Sequence, residues 1–434
     1  MVKFSEALEE KARLAEYRIS GAFADIAATA AFNQRKVVSA MRDARLSDTH
    51  FNGSTGYGYN DAGRETLDRV YASVFKAESA LVRHQITTGT QAIALCLFGN
   101  LRPGDELLSV TGRPYDTLYE TIGGGLANTG ARGDRGSLRD FGVSYSETPL
   151  TSDGGIDIDS VRKAVNRRTK IVMIQRSRGY NWRRAIGVRE IGAAITVIKN
   201  IREGLVVLVD NCYGEFVEET EPTETGADLI AGSLIKNPGG GLAPCGGYVA
   251  GSAEYVKNAA YRLTAPGLGG DVGATLGVNR MIFQGLFMAP HVVAESLKSA
   301  VFLAALMEAE GYKTSPRPFE KRSDIIQAVE LGSPERLKAF CKGIQSGSPV
   351  DSFVTPEPWM MPGYGHEVIM AAGTFVQGSS IELSADGPML DPYIAYVQGG
   401  LTYESAKIAM MSALENIGDG QKKNSTAAGR AQAD

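Results

Sequence analysis

Phe4, Ala7, Leu8, Ala12, Leu14 and Ala15 form an apolar stripe at helical spacing, and residues 26–41 continue it. The spacing predicts helix across 4–45. Residues 47–64 break the pattern with four glycines and two tyrosines, the composition of an ordered loop. Helical spacing returns over 64–77. From residue 80 the pattern alternates. Short apolar runs at 80–86, 107–110, 171–175, 205–210, 229–233 and 248–250 read as strands, with helices at 90–99, 115–122 and 191–201 between them. Such alternation predicts an α/β fold built on βαβ units, with a mainly parallel sheet covered on both faces. A long amphipathic helix is expected at 292–311. Beyond it, the segment 323–331, strands at 368–375 and 380–383 and a last helix at 403–414 suggest a second, smaller α/β domain.

A chain of 434 residues exceeds what one hydrophobic core supports. We expect an N-terminal arm with its loop over 1–60, a large domain over 61–289, a small C-terminal domain over 290–418, and a polar, disordered tail over 419–434. The glycine-rich segment 123–136, which also carries Arg132 and Arg135, reads either as a loop over a cleft or as a surface hairpin. Hydrophobic content of 43 % and charged content of 22 % are those of a soluble globular protein. A net charge of −4 argues against nucleic acid or an anionic membrane as the main partner. No apolar run approaches the ~18 residues of a membrane span. Four dispersed cysteines and an N-terminus without a signal-like apolar core point to reduced thiols and the cytoplasm.

Candidate chemistry centres on Ser233-Leu-Ile-Lys236-Asn-Pro-Gly-Gly-Gly241. The lysine sits among apolar residues, and desolvation is expected to lower its pKa, as in nucleophilic or Schiff-base lysines. The glycines after it allow close approach of backbone or of a flat ligand. Thr87-Thr-Gly-Thr-Gln-Ala92 follows a strand and opens a helix, so its hydroxyls and N–H groups form an anion site, or else a plain N-cap at Thr88 or Thr90. Asp210 closes the apolar run 205–210, at the carboxyl edge where such sheets bind ligands, and it needs a cationic partner. Tyr115, in Arg113-Pro-Tyr-Asp-Thr117, is placed to stack on a flat ligand or to pack at an edge. A phosphate cradle, a ring, a buried acid and an amine in this order suit pyridoxal 5′-phosphate. The separation of Lys236 from Asp210, 236 − 210 = 26 residues, matches its fold-type I enzymes.

Whole segments extend this likeness. Gly56-Tyr-Gly-Tyr-Asn-Asp-Ala-Gly-Arg64, Val209-Asp-Asn-Cys-Tyr-Gly-Glu-Phe216, Gly232-Ser-Leu-Ile-Lys-Asn-Pro-Gly-Gly240, Pro356-Glu-Pro-Trp-Met-Met-Pro-Gly-Tyr364 and Ile381-Glu-Leu-Ser-Ala-Asp386 resemble the aluminium-resistance family of pyridoxal-phosphate enzymes, akin to methionine γ-lyase and cystathionine β-lyase. The resemblance covers residues 5–415. It implies a fold-type I large domain with a seven-stranded-type sheet, a small C-terminal domain, and a homodimer or homotetramer. It also implies β- or γ-elimination on a sulfur-containing amino acid. In that reading Lys236 holds the cofactor and acts as general base. Asp210 keeps the ring nitrogen protonated, Gly89, Thr90 and Ser233 hold the phosphate, and Tyr115 covers the ring. Tyr213 orients Asp210 or the substrate, and either Arg178 or Arg322 takes the substrate carboxylate. The resemblance further implies that Tyr59 and Arg64 reach the cofactor of a neighbouring subunit.

Three rival readings stand beside this one. A γ-replacement enzyme would use the same residues. Ser233 and Lys236 make a Ser-x-x-Lys, the nucleophile motif of penicillin-recognising hydrolases, without its companion motifs. Glu215, Glu218, Glu219, Glu221 and Glu224 form either a hard-metal site of a non-catalytic tolerance protein or a solvated acidic loop. The four histidines show no ligand spacing, and no resident metal is expected.

Overall fold

The computed structural model of the chain describes residues 2–124, 136–361 and 364–431, with side chains as far as 418. Most of the glycine-rich segment 123–136 lies outside the described residues. The chain divides into a larger unit, residues 29–290, and a smaller one that joins 1–28 to 291–434. The first element, α1 (Glu6–Asp43), is a single helix that passes through the division.

The larger unit continues with α2 (Ala62–Val74), β1 (Ser79–Arg83), α3 (Gly89–Asn100), β2 (Glu106–Ser109), α4 (Asp116–Ile122), β3 (Ser144–Glu147), α5 (Ile158–Ala164), β4 (Thr169–Gln175), α6 (Val188–Ile201), β5 (Val206–Asp210), β6 (Leu229–Ser233), β7 (Gly247–Gly251) and α7 (Ala253–Leu263). Its sheet has seven strands in the order β1-β7-β6-β5-β4-β2-β3. The sheet is mixed. From β6 to β3 every neighbouring pair is parallel, and β7 runs against both β6 and β1. Val206 to Asp210 is buried at every position, as a strand covered on both faces must be. One face contributes Leu107, Ile171, Met173, Val206, Leu208, Leu229 and Val249 to a core shared with Ile93 and Leu97 of α3 and Val256 of α7.

Helix α8 (Asn279–Ala309) begins in the larger unit and, from residue 291, belongs to the smaller one, where it leads into β8 (Lys313–Ser315), β9 (Gln327–Glu330), α9 (Pro334–Ser346), β10 (Trp359–Met360), β11 (Glu367–Ala372), β12 (Ser384–Pro388), β13 (Ile394–Gln398) and α10 (Tyr403–Ala431). Its six strands pair antiparallel throughout, in the order β10-β11-β12-β13-β9-β8. The start of α1 belongs here: Leu8, Ala12, Ala15 and Ile19 are buried with Phe302, Leu306 and Met410. The Tyr403 ring meets Phe23 and Phe302 edge-on at 5.1 and 5.7 Å, and its hydroxyl donates to Glu16.

Three of the expected elements are shifted or extended. The strand expected at 380–383 lies at 384–388. Residues 380–383 turn instead, because the Glu382 carboxylate accepts from the N–H groups of Phe375 and Val376. Helix α8 begins at Asn279, well before 292, and runs through Pro290. Helix α10 continues to Ala431 through the segment expected as a tail. Among the described residues no helix is long and apolar enough to cross a membrane.

Close packing sets the position of α3, whose first turn carries the threonine motif. A Cβ added at Gly99 would lie 2.8 Å from the Asn258 carbonyl oxygen of α7. Alanine favours helix over glycine by about 0.5–1 kcal/mol, whereas overpacking costs about 1–3 kcal/mol. Gly99→Ala should therefore destabilise the chain by about 1 kcal/mol or more, read as a lower midpoint in thermal unfolding. An unchanged or raised midpoint would mean that the helices do not touch there.

Candidate active site

The strands β1 to β6 run the same way, so their carboxyl ends share one edge, the edge at which α/β sheets bind ligands. Strand register there places Gln175 beside Asp210 and Asp210 beside Ala231. Asp210 ends β5 almost wholly buried, and its Oδ1 accepts from the Cys212 N–H at 3.1 Å. Burial pushes its carboxyl up. Lys236 and the hydrogen bonds from Cys212 act in the other direction without overcoming it.

Lys236 follows the end of β6 by three residues and is half-buried. Its Nζ lies 4.0 Å over the ring of Tyr213, a residue held at a left-handed φ of 71°. Burial works to lower the ammonium. The acidic groups around it, Cys212, Tyr213, Asp210 and Tyr115, outweigh that and hold it well above its ordinary value. This corrects the expectation of a lowered pKa, because the sequence shows the apolar neighbours and not the acids that folding brings in. The glycines after Lys236 serve the chain's own packing. A Cβ at Gly239 would overlap the Leu234 carbonyl, and one at Gly240 the Gly285 carbonyl.

The first turn of α3 faces the same place. Thr88 is its N-cap and accepts from the Gln91 N–H at 3.0 Å. The Gln91 side chain in turn accepts from Thr87 N and Oγ1 at 2.7 and 2.9 Å. The capping reading of this motif is thus correct, and it leaves the first-turn N–H groups without helix carbonyl partners. A Cβ on Gly89 would lie 3.2 Å from Cys212 Sγ and 3.3 Å from Ser233 Cβ, so the helix terminus, β6 and the Asp210 loop converge. Tyr115 Oη donates to Thr90 Oγ1 at 3.0 Å, and Tyr115 N donates to Gln175 Oε1 at 3.2 Å. Burial, then Asp210 and Cys212, push the Tyr115 phenol well above its ordinary value, so it keeps its proton and donates.

Gly89, Thr90, Tyr115, Asp210, Tyr213, Ser233 and Lys236 are thereby one cluster. Arg178 is fully buried in the loop after β4, on the same edge. Arg322 belongs to the smaller unit and donates to Gln327 Oε1 at 2.6 Å. Arg64 is buried, and its guanidinium donates to the carbonyls of Gly58, Gly273 and Asp271. Tyr59 is exposed, with its ring 5.6 Å from that of Tyr57.

A second layer behind the cluster was not legible. Arg176, fully buried, donates to Asn211 Oδ1 at 2.8 Å and to Glu218 at 3.0 Å, and stands 3.6 Å from Glu221. Asn211 donates to Glu221 at 3.0 Å. Tyr248 Oη donates to Glu215 Oε1 at 2.8 Å. The acidic run is therefore a solvated loop only in part, at Glu219 and Glu224, which are exposed. Glu215 and Glu221 are buried on internal partners, and among the described residues no group of side chains could hold a metal. The signal in the sequence was Gly232: a Cβ there would lie 2.7 Å from Glu215 Oε1 and from the Tyr248 ring. The Ser-x-x-Lys reading also lapses. Such a pair meets on one helix face, whereas Ser233 ends a strand and Lys236 precedes a short 3-10 turn.

A buried acid whose burial Lys236 does not offset, an amine and an open helix N-terminus fit a cofactor with a basic ring and an anionic tail. The comparisons agree. The chain matches the methionine gamma-lyase family over residues 8–418. It is 52 % identical to protein YnbB of Bacillus subtilis (strain 168) over 414 residues, 95 % of this chain and 97 % of that one. The structure of a carbon-sulfur lyase involved in aluminium resistance from Clostridium novyi NT superposes with a TM-score of 0.91 at 48 % identity, covering 95 % of this chain and 96 % of that one. The pyridoxal-5′-phosphate-dependent protein YhfS from Escherichia coli shares the fold alone, with a TM-score of 0.59 at 17 % identity over 90 % of this chain and 97 % of that one. The fold is that of the fold-type I pyridoxal-phosphate enzymes, and the chain belongs to the methionine gamma-lyase family.

Proposed function

We propose that the chain is a pyridoxal-phosphate-dependent carbon–sulfur lyase that acts on a sulfur-containing amino acid by β- or γ-elimination. The observation that carries this is the convergence of Asp210, Lys236 and the first turn of α3 at one sheet edge. Bound there, pyridoxal phosphate supplies an electron sink for the substrate's α-carbon. Lys236 would hold the cofactor through Nζ and, once released by the substrate amine, take the α-proton. The Asp210 carboxylate would hold a proton on the ring nitrogen, gaining the cation that its burial calls for. Gly89, Thr90 and Ser233 would bind the phosphate, with Tyr115 over the ring and fixed through Thr90. Tyr213, under Lys236 Nζ, orients the amine. Of the two arginines, Arg178 is favoured for the substrate carboxylate, since it lies in the same unit as Lys236 and on the same edge.

Exposed Tyr59, on a loop that Arg64 ties to 271–273, supports a site shared between the subunits of a homodimer or a larger assembly. The same reading makes the chain a cytoplasmic enzyme of amino-acid metabolism. Screening sulfur amino acids for release of a 2-oxo acid tests the activity itself.

Borohydride reduction of the loaded protein followed by peptide mapping should place the pyridoxyl group on Lys236. An adduct on another lysine would sink the reading. Asp210→Asn keeps the shape and removes the charge, so turnover should fall about 10²-fold or more, the scale of one preorganised electrostatic group. Near-normal turnover would show that Asp210 is not the ring partner. Lys236→Ala and Tyr59→Ala chains, each nearly inactive, should regain activity when mixed, because a heterodimer holds one intact site. No recovery from proven heterodimers would place Tyr59 outside its neighbour's site.

A further inference from the structure

Glu215 lies five residues after Asp210 and is fully buried. Its Oε1 accepts from Tyr248 Oη at 2.8 Å, while its Oε2 has no hydrogen-bond partner. Its main-chain oxygen accepts from Asn237 Nδ2 at 2.9 Å, on the residue next to Lys236. Tyr248 Oη also lies 3.4 Å from Asn211 Nδ2, on the residue next to Asp210. Glu215 thus ties together the two segments that carry the cluster. Among the described residues it forms no ion pair, and the Arg176 guanidinium is taken by Asn211, Glu218 and Glu221.

We propose that Glu215 is a positioning residue for Lys236 and that it works as a neutral carboxylic acid. The proposal rests on the lyase reading, and the chemistry runs as follows. An ionised carboxylate behind Lys236 would add to the acidic groups that already hold its amine as an ammonium, the form that can neither bond to an aldehyde nor accept a proton. A neutral acid keeps the Tyr248 contact without adding that charge, while the Asn237 bond goes to the main chain and holds in either form. Burial, assisted by Glu221, pushes the Glu215 carboxyl up to about 8, against the pull of Tyr248 and Lys236. The groups that face it from the surrounding elements are Tyr248 on β7, Tyr71 on α2, Lys236 after β6, and Cys212 and Glu221 on its own loop. Folding raises this acid above its ordinary value of 4.5, so the folded chain keeps a proton that the unfolded chain releases. Stability from this group is fully present below about 4.5 and is lost as pH rises to about 8.

The test uses the full chain in two states. Without cofactor, unfolding stability is followed against pH in the wild type, Glu215→Gln and Tyr248→Phe. The wild type should lose stability up to a break near 8, Gln should lack that slope, and Phe, which removes the donor to the carboxylate, should move the break to higher pH. In the second state, attachment of pyridoxal phosphate to Lys236 is timed by its visible absorbance near neutral pH. Glu215→Gln should attach at close to the wild-type rate and hold that rate past the wild-type alkaline limit. Glu215→Ala should be slower by about tenfold or more, the scale of one lost buried hydrogen bond. A slope that survives in Gln, a break that Phe leaves in place, or Gln as slow as Ala would each overturn the proposal. If no form attaches cofactor at Lys236, the lyase reading fails instead, and the cofactor-free stability curves still decide the role of Glu215.

Discussion

Asp210 and Lys236 are the pair on which the rest of this unit depends. Neither charge tolerates burial alone, since an unpaired buried ion costs several kcal/mol even after relaxation, on the order of the stability of a whole domain. The sheet meets this constraint by placement. β5 and β6 are parallel neighbours, so the acid that ends one and the lysine that follows the other emerge on the same edge. The turn after Asp210 then has to fold back at once, and it does so through Cys212, whose N–H satisfies the carboxylate, and Tyr213 at a left-handed φ. That turn brings the Tyr213 ring under Nζ and Cys212 Sγ against the first turn of α3. The first turn of the helix and the acid are therefore positioned by one loop.

Much of the architecture was legible because the larger unit obeys simple periodicity. Continuous apolar runs at 171–175, 205–210 and 229–233 are what a strand covered on both faces requires, and the structure has β4, β5 and β6 there. Lys236, Asp210 and the threonine motif could be found because each departs from its surroundings: a charge in an apolar run, or glycine and hydroxyls at a strand-to-helix junction. The smaller unit was harder. Its strand at 384–388 contains Ser, Asp, Gly and Pro, and its burial comes from partners on both sides rather than from its own composition. Arg176 was passed over in favour of Arg178 for the same reason. In Gln175-Arg-Ser-Arg178 nothing local distinguishes the two, and the carboxylates that claim Arg176 lie some forty residues onward at Glu218 and Glu221.

The direction of the Lys236 shift teaches a related lesson. An apolar sequence neighbourhood argues for a lowered pKa, yet the neighbours that decide the charge come from two separate segments, 210–213 and the turn at Tyr115. Sequence can show that a group is buried, but the sign of the field there is a tertiary property. Glycine is the exception. Gly232, Gly239 and Gly240 each mark a place where backbone or a polar side chain arrives too close for a Cβ, and Gly214 does the same for the Arg176 side chain at 2.5 Å. Glycines near a candidate lysine therefore carry information about the layer behind it as well as about ligand access.

That layer acts at a distance because it is dry. The Phe75 and Tyr248 rings stack with centroids 5.1 Å apart, and Tyr71 and Phe216 close the sides at 5.8 and 5.9 Å from Phe75. Water is kept from Glu215, Asn211 and Arg176, all of them fully buried. Two unit charges ~10 Å apart interact by about 0.4 kcal/mol in water and by about 1.7 kcal/mol at an effective dielectric constant of ~20. The first figure is below thermal energy and the second is well above it. An aromatic wall that touches no reacting group thus lets Lys236 and Glu221 act on Glu215, and Arg176 on Glu221. Their net charge has to be set together with that of Asp210, and the fold does so with one arginine that serves Glu218 and Glu221.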